Sequence, residues 1–114
     1  MGAMVLGLVS GAGGEPLVSV SSNAKLFEAI RSGQVSQVRA VLEQGASVTA
    51  RDEGGNTPLI WAAQYANLDV MRLLVERGAE INATNQRGAS PLMRASYDAG
   101  KVTWLLAHGA DAKA

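Results

Sequence analysis

Internal repetition is the feature of this sequence that most restricts how the chain can fold. A Gly-Ala pair that follows an apolar segment occurs three times, at Gly45, Gly78 and Gly109. The first two glycines are 33 positions apart and the last two are 31 positions apart. A second landmark, Gly-x-Thr/Ser-Pro-Leu, starts at Gly55 and again at Gly88, also 33 positions apart. Because two independent landmarks share one period, the sequence predicts repeats that stack on one another.

Each repeat predicts a pair of helices. Thr57 and Ser90 are N-cap residue types, and each precedes a proline that suits the first helical position. We expect a first helix that reaches about Gln64 in one repeat and Tyr97 in the next. A second helix is expected over roughly residues 68–77, where apolar side chains cover a broad face.

Small residues occupy defined places in this pattern. Glycine at the end of each second helix suits the left-handed conformation that terminates helices. Alanines at Ala62, Ala63 and Ala95 allow a second helix to approach the first closely. The last repeat lacks two residues between Ser96 and Val102, which predicts a tighter turn between its helices.

These residues resemble the ankyrin repeat, whose pattern residues 52–82 match closely. The resemblance implies an all-α repeat solenoid of antiparallel helix pairs with β-hairpin-like finger loops. Ile60 and Met93 stand where the family has histidine, so we expect the usual side-chain hydrogen bond at the head of the first helix to be missing. Asn85 replaces the family's aspartate in the second finger.

The pattern divides the chain into a leader and a repeat domain. Residues 1–22 contain a single charge, Glu15, and several glycines, which predicts a flexible leader or a truncated remnant of a secretory signal. Residues 23–114 form the ankyrin-like domain, with repeats at about 23–51, 52–84 and 85–114. A helix is expected over 23–31 in a terminal, capping repeat. The absence of a polar C-terminal cap is consistent with a fragment of a longer array or with a very short protein.

Composition excludes several classes of protein. Ten Lys plus Arg residues balance ten Asp plus Glu residues, so we expect neither nucleic acid nor a membrane as partner. The chain has no Cys and one His, His108, so we expect no metal site and no cofactor. The compartment stays open: the lack of Cys favours the cytoplasm slightly over an exported or periplasmic location.

The resemblance implies a non-enzymatic module, expected to be monomeric, that binds a protein partner through its finger tips and the face of its first helices. An alternative is a structural spacer or an accessory recognition segment of a larger repeat or multidomain protein. By resemblance, the candidate protein-binding residues are Arg31, Arg51, Glu53, Asn56, Gln64, Tyr65, Gln86, Arg87, Tyr97 and Asp98.

Other conspicuous residues have simpler structural interpretations. We expect Trp61 and Trp104 to pack in the core or between repeats, because both have apolar helical spacing. His108, which could pair with Asp111 or Asp98 in an enzyme, is expected instead at the negative end of a helix. Asn82 begins a glycosylation sequon but is expected to be a structural residue of its finger.

Overall fold

The structure is a computed structural model that describes the backbone of residues 14–111 and the side chains of residues 22–111. The described residues form six helices and no strand. The helices are α1 (Gly14–Ser32), α2 (Val35–Glu43), α3 (Pro58–Tyr65), α4 (Leu68–Glu76), α5 (Pro91–Arg94) and α6 (Ala99–Ala107). None of the described helices combines the length and the apolar content that a membrane span requires.

Helix α1 begins earlier than the sequence predicted. We expected a helix over 23–31, and the structure gives nineteen residues that start at Gly14. The predicted boundary between leader and repeat domain, near Ser22, therefore falls inside α1. The apolar run that suggested a signal remnant lies outside the described residues, and the division into leader and repeats stays a prediction.

The predicted N-caps of α3 and α5 are confirmed. The hydroxyl of Thr57 accepts a hydrogen bond from Ile60 N at 3.2 Å, and that of Ser90 accepts one from Met93 N at 3.3 Å. At Met93 the expectation of a missing side-chain bond was wrong. Its Sδ accepts a hydrogen bond from Ser90 N at 3.5 Å, because a thioether sulfur can act as a weak acceptor.

The second helices end at the glycines that the period singled out. Gly45, Gly78 and Gly109 have φ values of +108°, +103° and +101°. Beyond Gly78, Ala79 N donates to Leu74 O at 3.0 Å, while Gly78 N donates to Val75 O at the same distance. These two bonds form a Schellman motif, which satisfies carbonyl groups that the helix leaves free.

Helix α5 is shorter than predicted. It ends at Arg94, and Ala95, Ser96 and Tyr97 form a turn, although we expected helix to Tyr97. The cause is the two-residue deletion. Asp98 already accepts a hydrogen bond from Lys101 N as the N-cap of α6, so the chain must turn before it.

The helices pack in two rows. The first helices α1, α3 and α5 pack side by side, α2 packs against α4, and each first helix packs against the second helix that follows it. Ala62, Ala63 and Ala95 are fully buried, which confirms that small residues lie where helices approach. The largest fully buried side chains are Leu26, Ile30, Leu59, Ile60, Met71, Leu74 and Leu105.

The fingers between the helix pairs are turns without strands in the part of the chain that the structure describes. Asp52 N donates to Asn56 O, and Asn85 N donates to Ala89 O, each at 3.0 Å. Each bond closes a hairpin-like tip, but no ladder continues it. The tips project beside the first helices, and this placement brings together the surface described next.

Candidate protein-binding surface

The second-repeat finger is organised around the carboxylate of Asp52. Its Oδ1 accepts hydrogen bonds from Gly54 N and Asn56 N, both at 2.9 Å. Its Oδ2 accepts one from Trp61 Nε1 at 2.8 Å, which ties the finger to α3. Asp52 therefore shapes the turn of this finger.

These bonds set the protonation of the Asp52 carboxyl group. Partial burial acts to raise its pKa, because desolvation disfavours the charged form. The hydrogen bonds from Asn56, Trp61 and Gly54 favour the charged form and outweigh burial, so the pKa of Asp52 lies below its usual value. The carboxylate is therefore a structural anion.

The third-repeat finger uses Asn85 in the same way. Its Oδ1 accepts from Arg87 N and Ala89 N at 2.9 Å, which reproduces the turn made by Asp52. The amide also supplies a donor that aspartate lacks: Nδ2 donates to Asn56 Oδ1 at 2.8 Å. The replacement seen in the sequence thus creates a bond between neighbouring fingers.

Arg51 also joins the two fingers. Its Nη1 donates to Gly55 O at 2.7 Å and to Thr84 O at 2.8 Å, 33 residues away along the chain. The sequence predicted Arg51 as a binding residue. The structure shows an exposed residue whose guanidinium group braces the finger scaffold.

An aromatic row runs across the first helices. The ring centroids of Phe27 and Trp61 are 5.3 Å apart, and those of Trp61 and Tyr65 are also 5.3 Å apart, both in tilted geometry. Trp61 is partly buried against the hydrophobic core, as expected for inter-repeat packing, while Tyr65 is 50% exposed. The row therefore begins between repeats and ends at an aromatic side chain open to a partner.

Tyr97 makes a structural contact that was not predicted from the sequence. Its hydroxyl donates to Gln64 O at 2.7 Å and accepts from Lys101 Nζ at 2.9 Å. Lys101, 4% exposed, also donates to Ala63 O at 3.1 Å. Both side chains thereby bond to carbonyl groups at the C-terminal end of α3, where cations are favourable.

A signal for this contact was present in the sequence. With the third-repeat period of 31 residues, Lys101 aligns with Val70, which is fully buried. A lysine at a core position predicts a buried ammonium group that must find acceptors.

The candidate binding residues thus fall into two groups. Arg51, Asn56, Tyr97 and Asp98 bond within the scaffold, and Gln64 is half-buried. The others are exposed: Arg31, Glu53, Tyr65, Gln86 and Arg87.

Several clefts adjoin the fingers, and two of them share Arg94 as a lining residue. The first, of about 220 Å³, is lined by Asn56, Ile60, Trp61, Gln64, Tyr65 and Arg94. The second, of about 330 Å³, is lined by Gly54, Asn56, Asn85, Gln86, Arg87 and Arg94. Arg94 lines both clefts, and the sequence analysis did not identify it. The short α5 gave no periodic pattern from which its orientation could be deduced.

The residues considered for catalysis occupy structural positions. His108 stacks on Trp104 with ring centroids 4.3 Å apart, and its Nδ1 lies 2.8 Å from Trp104 O. Asp98 caps the opposite end of the same helix, about 15 Å away at 1.5 Å per residue. The described residues contain no group of three or more His, Cys, Asp or Glu side chains that could hold a metal ion.

Asn82, near the end of the second repeat, bonds to the residues that follow α6, the second helix of the third repeat. Its Nδ2 donates to Gly109 O at 3.1 Å, and its Oδ1 accepts from Asp111 N at 2.8 Å. This confirms the structural interpretation of the asparagine in the sequon.

Stacked helix pairs with one period and turn-based fingers define a helical repeat protein, in which each unit packs on its neighbours. The family described as ankyrin repeats matches residues 26–114 in three copies, and the chain belongs to this family. A comparison with curated proteins gave no match. Ankyrin repeats are generally protein–protein interaction modules, and the family is typically non-enzymatic.

Proposed function

We propose that this chain binds a protein partner through the surface formed by its finger tips and the exposed face of its first helices. This finger–helix surface comprises the exposed residues Glu53, Tyr65, Gln86 and Arg87 together with the first cleft. The observation that carries the proposal is the aromatic row, which ends at the half-exposed Tyr65 beside an open cleft.

The residue types on this surface favour a protein as the partner. Tyrosine, tryptophan and arginine are enriched where protein interfaces are anchored. The scaffold beneath them is braced by hydrogen bonds between fingers, so little conformational entropy is lost when a partner binds. An exposed aromatic side chain on a rigid support is a favourable starting point for an interface.

Affinity purification from the native host, followed by mass spectrometry, tests the proposal. The bait is the wild-type chain, compared with a Tyr65→Ala/Arg87→Ala double variant and with Arg39→Ala, which alters an exposed residue of the second helix α2. We expect proteins recovered with the wild type and with Arg39→Ala to be lost with the double variant. Equal recovery with all three baits contradicts the proposed surface.

A further inference from the structure

Arg94 lines both clefts, and its guanidinium group makes no hydrogen bond or ion pair with a described residue. Its Nε is buried and has no hydrogen-bond partner, and among the described residues it is the only fully buried side-chain nitrogen or oxygen atom in that condition. Buried polar groups in folded proteins are almost always hydrogen-bonded. Nε is too buried for an acceptor from outside the chain to reach, but the side chain as a whole is only half-buried, so such an acceptor can reach the Nη atoms of the same guanidinium group.

The surroundings of Arg94 specify the charge of that acceptor. Neither cleft that Arg94 lines includes a carboxylate among its described lining residues, and the second cleft adds a further arginine, Arg87. The ion pair found in the described part of the chain joins Arg72 to Asp69 on α4. Asp52, a carboxylate of the second-repeat finger, is already bonded to Trp61 and Asn56. The clefts therefore favour an anion.

The walls of the first cleft specify the kind of anion. Trp61 and Tyr65 form an aromatic side over the almost fully buried Ile60, while Asn56 and Gln64 supply amides, and most of the accessible lining is polar. A volume of about 220 Å³ is below the range of drug-sized pockets, so it suits one side chain of a partner. A guanidinium group binds a carboxylate through two parallel hydrogen bonds, which its two Nη atoms can supply.

We infer that the first cleft receives an Asp or Glu side chain of the partner protein, whose carboxylate binds Arg94 and whose stem lies against Tyr65 and Trp61. This inference rests on the proposed function, because it names the chemistry of the partner at the same surface. Arg94 is the anchoring cation, and Tyr65 and Trp61 provide the contact for the apolar stem.

Selection from a displayed library of random twelve-residue peptides tests the inference, with the full chain as the target. We expect the enriched peptides to share an acidic residue next to an apolar one. Arg94→Gln should weaken their binding by at least about 30-fold, the effect of about 2 kcal/mol for a buried charged pair. Arg39→Gln, which removes an exposed arginine on α2, should leave binding unchanged.

The same peptides distinguish failure of this inference from failure of the proposed function. If binding is lost in Tyr65→Ala but does not change in Arg94→Gln, the surface binds proteins and the carboxylate site is wrong. If no peptide is enriched, or if none depends on Tyr65 or Arg94, both proposals are wrong.

A second measurement does not depend on the folding of a variant. The NMR signal of the Arg94 Nε–H group in the wild-type chain is followed during titration with N-acetylglutamate amide or with N-acetylglutamine amide. We expect a saturable shift of this signal with the carboxylate probe alone, because binding at the Nη atoms perturbs the whole guanidinium group. Equal responses to the two probes, or no response to either, would overturn the inference.

Discussion

Asn85 Nδ2 donates a 2.8 Å hydrogen bond to Asn56 Oδ1, and this bond links the fingers of the second and third repeats. It completes a chain of contacts, because Asn56 Nδ2 in turn donates to both oxygens of Asp52, at 3.2 and 3.1 Å. The charge of Asp52 orients the amide of Asn56, which then presents its oxygen to Asn85. The finger tips therefore form one polar network that supports the proposed binding surface.

The variant Asn85→Asp tests this network, although aspartate is the residue that the family pattern has at this position. We expect it to lower the free energy of unfolding by about 1–3 kcal/mol at pH 7, because a carboxylate cannot donate to Asn56 Oδ1. Urea unfolding at pH 7 and pH 3 measures the effect. The penalty should shrink at pH 3, where a protonated carboxyl group can donate again. A variant as stable as the wild type at pH 7 would show that the bond is not stabilising.

The lowered pKa of Asp52 predicts that the folded protein loses stability in acid. Its pKa in the folded protein lies below the value of about 3.9 that an unfolded chain has. Its stabilising contribution is therefore fully present above the unfolded pKa and is lost as the pH falls through the folded pKa. We expect stability to decline below about pH 5 and this decline to be shallower in Asp52→Asn.

Urea unfolding at several pH values between 7 and 3 measures how steeply the free energy of unfolding falls with pH. The matched control is Glu53→Gln, which removes the adjacent exposed carboxylate without breaking a described hydrogen bond. If the free energy of unfolding of Asp52→Asn depends on pH as steeply as that of the wild type, other carboxyl groups cause the decline.

At Tyr97, the contribution of the hydroxyl hydrogen bonds to stability can be measured separately from that of ring packing. Tyr97→Phe keeps the ring but removes the hydroxyl that bonds to Gln64 O and Lys101 Nζ, so we expect a loss of about 1–2 kcal/mol in unfolding free energy. Tyr65→Phe is the control, because no described hydrogen bond involves the Tyr65 hydroxyl. Thermal or urea denaturation compares the two variants. Equal effects would argue against a structural role of the Tyr97 hydroxyl.

Gly55 lies where the backbones of the two fingers approach each other closely. A Cβ atom there would lie 3.0 Å from Gln86 N, and the residue has φ of +81°. Gly88 has nearly the same φ, +80°, with nothing within 4 Å of a Cβ. Gly88→Ala should therefore incur only the backbone strain of about 1–2 kcal/mol, and Gly55→Ala should be more destabilising. Equal destabilisation would mean that the fingers separate at little cost.

Local sequence signals predicted much of the fold. The caps at Thr57 and Ser90 and the helix-ending glycines could be found because each depends on a residue type at a fixed position in a turn. The predicted length of α5 and the predicted start of α1 were wrong, since a deletion and a terminal repeat change the period on which the prediction depended. The interfinger bonds and the contact of Lys101 with α3 join residues about 30 or more positions apart. Their partners follow only from the stacking.

The proposed binding surface was predicted less completely than the fold. The resemblance indicated candidate residues but could not distinguish those whose side chains make no described hydrogen bond, such as Arg87, from Arg51, whose side chain bonds to both fingers. That distinction depends on carbonyl groups brought near by the neighbouring finger. Arg94 was missed because its orientation depends on the short α5 and the turn that follows.

Site-specific photocrosslinking tests the central claim most directly. A photoreactive amino acid is placed at position 65 on the finger–helix surface, or at position 39 on α2, in the chain expressed in its native host. We predict a covalent adduct with a discrete protein from position 65 and none from position 39. Adducts from position 39 alone, or none from position 65, would contradict the claim that this surface binds a protein partner.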